Sequence, residues 1–118
     1  MNLISFNIRG LGSGHKRVAF KHFLEIVHPS VVLLHETMTS SLVSCNYFLK
    51  VKPHWCVCIV EFGLSGGTLV AWNPIEADMK AEYTIACILI EGKLKGFQSM
   101  VRILIIEDLF GSISKIKV

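Results

Sequence analysis

Residues 2–36 read NLISFNIRGLGSGHKRVAFKHFLEIVHPSVVLLHE, and the hydrophobic period changes twice within them. The run NLISFNI (2–8) is apolar, partly β-branched and closed by Gly10, Gly12 and Gly14, as expected of a strand ending in a turn. From His15 to Val27 the apolar residues Phe20, Phe23, Leu24 and Val27 fall at i, i+3, i+4 and i+7, one stripe of a helix. Ser13 stands where an N-cap belongs. Pro29 disfavours the α conformation at His28, so the helix is expected to end there. SVVLLHE (30–36) is a continuous apolar run ending in a charge, the pattern of a parallel strand covered on both faces. Strand, helix and strand make a βαβ unit with a right-handed crossover, and the expected class is α/β (α+β).

Beyond this unit, TMTSSLVSCN (37–46) is polar and reads as a surface loop with at most a helical turn. HWCVCIVE (54–61) and TLVAWN (68–73) flank FGLSGG (62–67), a pair of neighbouring strands joined by a glycine turn. EYTIACILIE (82–91) and VRILIIE (101–107) are two further strand segments.

A chain of 118 residues suits one small domain, and 52% hydrophobic with 18% charged residues argues against a disordered chain. The longest apolar runs, IACILI and VVLLH, fall well short of the ~20 residues of a membrane-spanning helix. No basic segment leads into a long apolar stretch and cleavage site, so an intracellular protein with no membrane partner is expected. The net charge is +3, and Arg9, His15, Lys16, Arg17, Lys21 and His22 gather near the N-terminus, facing either solvent or phosphate. Cysteines 45, 56, 58 and 87 have neither disulfide-framework density nor paired zinc-ligand spacing. His54, Cys56 and Cys58 would share one face of a strand, as a metal trio or as buried thiols beside Trp55. Buried thiols are the expectation, because free cysteine behaves as a small hydrophobe.

The glycine loop after the first strand has two chemical readings. Strand, GLGSG, helix and a second strand ending in Glu36 imitate a dinucleotide-binding fingerprint, with pyrophosphate at the helix N-terminus and ribose on the acid. Against it, His15 occupies the place of the third small residue, Asn7 interrupts the strand, and little chain remains for a second half-site. The other reading joins Asn7 to Glu36. Parallel strands bring their carboxyl ends to one sheet edge, where ligands of open α/β sheets bind. A strand-end carboxylate can hold Mg²⁺, and an amide beside it can donate to a phosphate oxygen.

Three ordered segments, NLISFNIRGLG (2–12), PSVVLLHETM (29–38) and GLSGGTLVAWNP (63–74), carry a resemblance. Together they resemble the N-terminal part of an endonuclease/exonuclease/phosphatase domain, as found in plant LINE-type non-LTR retrotransposons. The resemblance spans residues 1–104 and leaves 105–118 as an unmatched tail. It implies a partial DNase I-like fold, a four-layer β-sandwich flanked by helices that begins with the βαβ unit. It further implies Mg²⁺ or Mn²⁺ as cofactor, DNA as partner and hydrolytic nicking of a phosphodiester, with the nucleus as one intracellular location. By the same resemblance Asn7 lies near the scissile phosphate and Glu36 binds the metal. Ser65, Gly66 and Gly67 match a family segment and are read as backbone requirements, and Trp72 as packing.

The sequence departs from that pattern in several places. Phe6 stands where the family commonly has Trp, and His35 where Gln is usual. The family's later Asp-x-Asn segment and terminal Asp-His pair, which orient and deprotonate water, are not found; Asp108 is followed two residues on by Phe110, and His54 lies in the wrong region. General-base catalysis is worth ~10² to 10⁴ in rate, so little or no activity is expected of a truncated or frameshifted remnant. Such a remnant would expose an apolar sheet face and self-associate or recruit a partner. Two other function classes stand beside it: a non-enzymatic fragment binding nucleic acid or a protein, and a small dinucleotide-binding βαβ module.

Overall fold

The computed structural model describes residues 3–61, 67–83, 87–96, 100–108 and 111–117. Strand β1 (Leu3–Asn7), helix α1 (Gly14–Val27) and strand β2 (Val31–His35) form the expected βαβ unit, with β1 and β2 parallel. Helix α1 ends at His28, which takes a left-handed conformation (φ 50°) and returns its N–H to the Leu24 carbonyl, just before Pro29. Ser13 occupies the N-cap position in extended conformation, but its hydroxyl meets the His15 ring rather than a helix N–H. Within the predicted stripe Phe20 and Leu24 are buried, while Phe23 is partly exposed.

Residues 41–51, partly covered by the expected surface loop, instead form helix α2 (Ser41–Val51). Ser40 caps it by accepting from the Val43 N–H, and buried Ser44 bonds the Thr39 hydroxyl. The serines that suggest a loop are therefore the residues that start the helix. Strands β3 (Cys56–Glu61) and β4 (Gly67–Trp72) pair antiparallel as predicted, and the first sheet runs β1-β2-β4-β3. The turn expected between them, with Ser65 and Gly66, lies outside the described residues.

The second sheet is an antiparallel meander of β5 (Ala77–Tyr83), β6 (Cys87–Leu94), β7 (Val101–Asp108) and β8 (Gly111–Lys117). The predicted single strand over 82–91 is two: its first residues end β5 and its last belong to β6. Strand β7 runs through 104–105 without a break and pairs with β8 in the tail. Gly92 answers a spatial demand. A Cβ there would lie 2.0 Å from the Asp78 carbonyl oxygen and 2.6 Å from the Met79 Cα, closer than atoms can approach.

Two apolar layers hold these parts together. Val31, Leu33, Val70 and Trp72 of the first sheet face Met79, Ile90, Val101 and Ile103 of the second. On the other side of the first sheet, Val32, Leu34, Leu69 and Ala71 pack beneath Phe20, Leu24 and Phe48 of the helices. The order is helices, mixed sheet, antiparallel sheet, a mixed α+β architecture of two sheets and two helices among the described residues. The outward face of the second sheet carries exposed Asp78, Lys80, Glu82 and Lys93. No described helix is long and apolar enough to cross a membrane.

Candidate functional site

The parallel register pairs Asn7 with His35, so the ends of β1 and β2 lie side by side. The ladder continues past both strands: the Ile8 N–H donates to the His35 carbonyl (3.0 Å), Gly10 to Glu36 (2.9 Å) and Leu11 to Thr37 (2.7 Å). From the other side Thr37 is tied to β4, its N–H donating to the Gly67 carbonyl (3.1 Å) and its hydroxyl oxygen lying 3.3 Å from the Gly67 N–H. Glu36 thus sits on a segment clamped between the β1 loop and the start of β4.

That clamp holds an unusual backbone. Arg9 (φ 49°), Glu36 (φ 55°) and Met38 (φ 54°) are left-handed, and Gly10 lies at φ 105°. Left-handed geometry costs a non-glycine residue roughly 1–2 kcal/mol, so the surrounding hydrogen bonds must outweigh it. Such strain gathers where a protein poises side chains for ligands.

The side chains meet across this edge. Asn7 Oδ1 accepts from the Arg9 N–H at 3.1 Å, an Asx turn that bends the chain. Arg9 Nε lies 3.9 Å from Glu36 Oε2, and the Glu36 side chain is 28% exposed against 78% for Arg9. The structure therefore links the two predicted residues, Asn7 and Glu36, through a third. Beneath them, buried His35 crosses the first sheet: Nε2 lies 3.2 Å from the Ser5 hydroxyl on β1, and Nδ1 3.2 Å from the Thr68 hydroxyl on β4. Burial pushes the His35 pKa below its ordinary value, and the Glu36 carboxylate opposes that shift in part. Neutral imidazole suits the site, since one ring nitrogen can donate and the other accept.

Glu36 offers a strand-end carboxylate at an accessible edge. Mg²⁺ and Mn²⁺ prefer oxygen, and Mg²⁺ is commonly bound through one or two carboxylates with water and phosphate completing its shell. The donor type fits such an ion. No group of three or more His, Cys, Asp or Glu able to hold a metal occurs among the described residues.

No known family model and no curated protein matches the chain.

The remaining sequence candidates fall elsewhere. His54 is exposed in the turn before β3, Cys56 is exposed and Cys58 is buried in the inter-sheet core. The expectation of buried thiols thus needs correcting for Cys56, which opens β3, an edge strand, directly after that exposed turn. Trp72 is buried between the sheets, a packing position. Gly67 is buried and serves through its backbone, while the Phe6 side chain and the Cys87 thiol lie outside the described residues. In the glycine loop, a Cβ on Gly12 would meet the Thr39 methyl at 3.4 Å, so this residue faces its own chain. Sequence reasoning placed Arg9 only in a basic cluster facing solvent or phosphate, and missed its pairing with Glu36 and the Ser5-His35-Thr68 row. The row had a signal: Ser5 and Asn7 share one face of β1 by strand alternation.

Proposed function

We propose that this chain is the N-terminal part of a metal-dependent phosphodiesterase domain of the endonuclease/exonuclease/phosphatase, DNase I-like kind, of retrotransposon origin. The observation that supports the reading best is the parallel β1-β2 register, which sets Asn7 and Glu36 on adjoining strand ends in a strained, hydrogen-bonded loop pair. In this proposal Glu36 holds Mg²⁺ or Mn²⁺, and the ion supplies charge stabilisation to a phosphodiester oxygen. Asn7 fixes the loop through Arg9 and presents its amide beside the same phosphate. DNA is the proposed substrate of the complete ancestral domain, inside the cell.

Hydrolysis also requires a base for the attacking water, and among the described residues at this edge the two nearest candidates, His35 and Glu36, are already engaged. His35 bonds hydroxyls on both sides and Glu36 is assigned to the ion. Little or no nicking is therefore proposed for the chain itself. A supercoiled-plasmid assay with Mg²⁺ tests this: background-level nicking is expected, and strand cleavage abolished by Glu36→Ala would overturn the expectation of inactivity.

Self-association is proposed at the free edge of β1 rather than on a broad sheet face. There a groove of about 740 Å³ runs between β1 and α1, lined by apolar side chains, among them Leu3, Phe20 and Phe23, and by polar Ser5, Asn7 and Lys16. Unpaired strand edges beside apolar surface favour pairing with another chain. Sedimentation should show association that Phe23→Asp abolishes, whereas a monomer at all concentrations would remove the proposal.

A further inference from the structure

We infer that Arg9 is the built-in counter-ion of Glu36, holding its carboxylate while no divalent cation is bound and withdrawing when one binds, so that Arg9 sets the cation affinity of the site. The inference rests on the proposed cation role of Glu36.

Three features carry it. First, the backbone of Arg9 is pinned: its N–H donates to Asn7 Oδ1, its carbonyl accepts from Lys16 Nζ, and the next N–H donates to the Glu36 carbonyl. Its own left-handed conformation and that of Glu36 are fixed by the same ladder, so only side-chain torsions are free to adjust the pair. Second, the contact is made by Nε at 3.9 Å, longer than a charge-assisted hydrogen bond, so it lacks the hold of a two-pronged carboxylate clamp. Third, the Arg9 side chain is mostly exposed and can leave the carboxylate without desolvating its own charge. A doubly charged ion on Glu36 would repel a guanidinium at that distance. Cation binding and the Arg9–Glu36 contact therefore compete for the same carboxylate.

The test is Mn²⁺ binding at low ionic strength, read from the paramagnetic resonance of the free ion, on the wild-type chain, Arg9→Gln, Glu36→Gln and Lys21→Gln. Arg9→Gln should tighten Mn²⁺ about fivefold, the effect of one exposed charge at close range, and salt should shrink the gain. Lys21→Gln removes the same charge from an exposed position on α1 and should change affinity less than about twofold. Unchanged or weakened binding in Arg9→Gln, with binding still lost in Glu36→Gln, overturns the role of Arg9 alone. Full binding in Glu36→Gln overturns the cation reading beneath it. In the wild-type chain, independent of any variant's folding, the Arg9 Nε–H resonance should shift as Mg²⁺ is added, and a stationary signal would equally overturn the inference.

Discussion

Replacing Gly92 with alanine adds one methyl group where the sheet has no room. The new Cβ would stand 2.0 Å from the Asp78 carbonyl oxygen and 2.6 Å from the Met79 Cα, both backbone atoms of β5 that cannot rotate away. Relief requires β5 and β6 to part by about 1 Å or more, loosening the ladder on both sides of the Met79–Gly92 pair and the packing of Met79. Overpacking of a tight core costs typically ~1–3 kcal/mol, and a clash against backbone belongs at the upper end. With a domain of this size losing roughly 3–6 °C per kcal/mol, the melting temperature should fall by about 10 °C or more. Gly14→Ala is the control, because nothing lies within 4 Å of the Cβ it would add. Circular-dichroism melts should show Gly92→Ala strongly destabilised and Gly14→Ala unchanged or slightly stabilised. A Gly92→Ala melt within ~2 °C of wild type would refute the close approach of β5 and β6.

Because the His35 pKa is lowered in the fold, its contribution to stability is complete above the ordinary histidine value near 6.5 and fades as pH falls below it through the lower folded value. Subtracting His35→Gln melts from wild-type melts between pH 7.5 and 5 (a range of about 2.5 units spanning that value) should leave a difference that shrinks toward acid; parallel curves would exclude it. Ser40→Ala removes the side-chain cap of α2 and should cost about 1 kcal/mol, measured by urea denaturation, while Ser40→Asp should restore it.

The βαβ unit was legible because three independent signals agreed: β-type runs at 2–8 and 30–36, a helical stripe between them, and Pro29 at the junction. Helix α2 was not, since the serines of 40–44 favour loops and caps alike, and only tertiary burial of Ser44 and Phe48 decides between them. Strand β5 carries a sequence signal of its own. Ala77, Met79 and Ala81 alternate with Asp78, Lys80 and Glu82, one face to the core and one to solvent. Asn7 and Glu36 could be placed at strand ends from parallel topology alone. Arg9 could not, because its approach to Glu36 depends on left-handed conformations at non-glycine residues, which no composition or period announces.

The proposed divalent-cation site at Glu36 is tested most directly by adding substoichiometric Mn²⁺ to isotope-labelled protein and mapping the amide signals that broaden. Broadening should centre on Ile8, Arg9, Gly10, Glu36 and Thr37, whose backbones the extended ladder brings together, and should vanish in Glu36→Gln. Broadening centred elsewhere, or undiminished in Glu36→Gln, would contradict it.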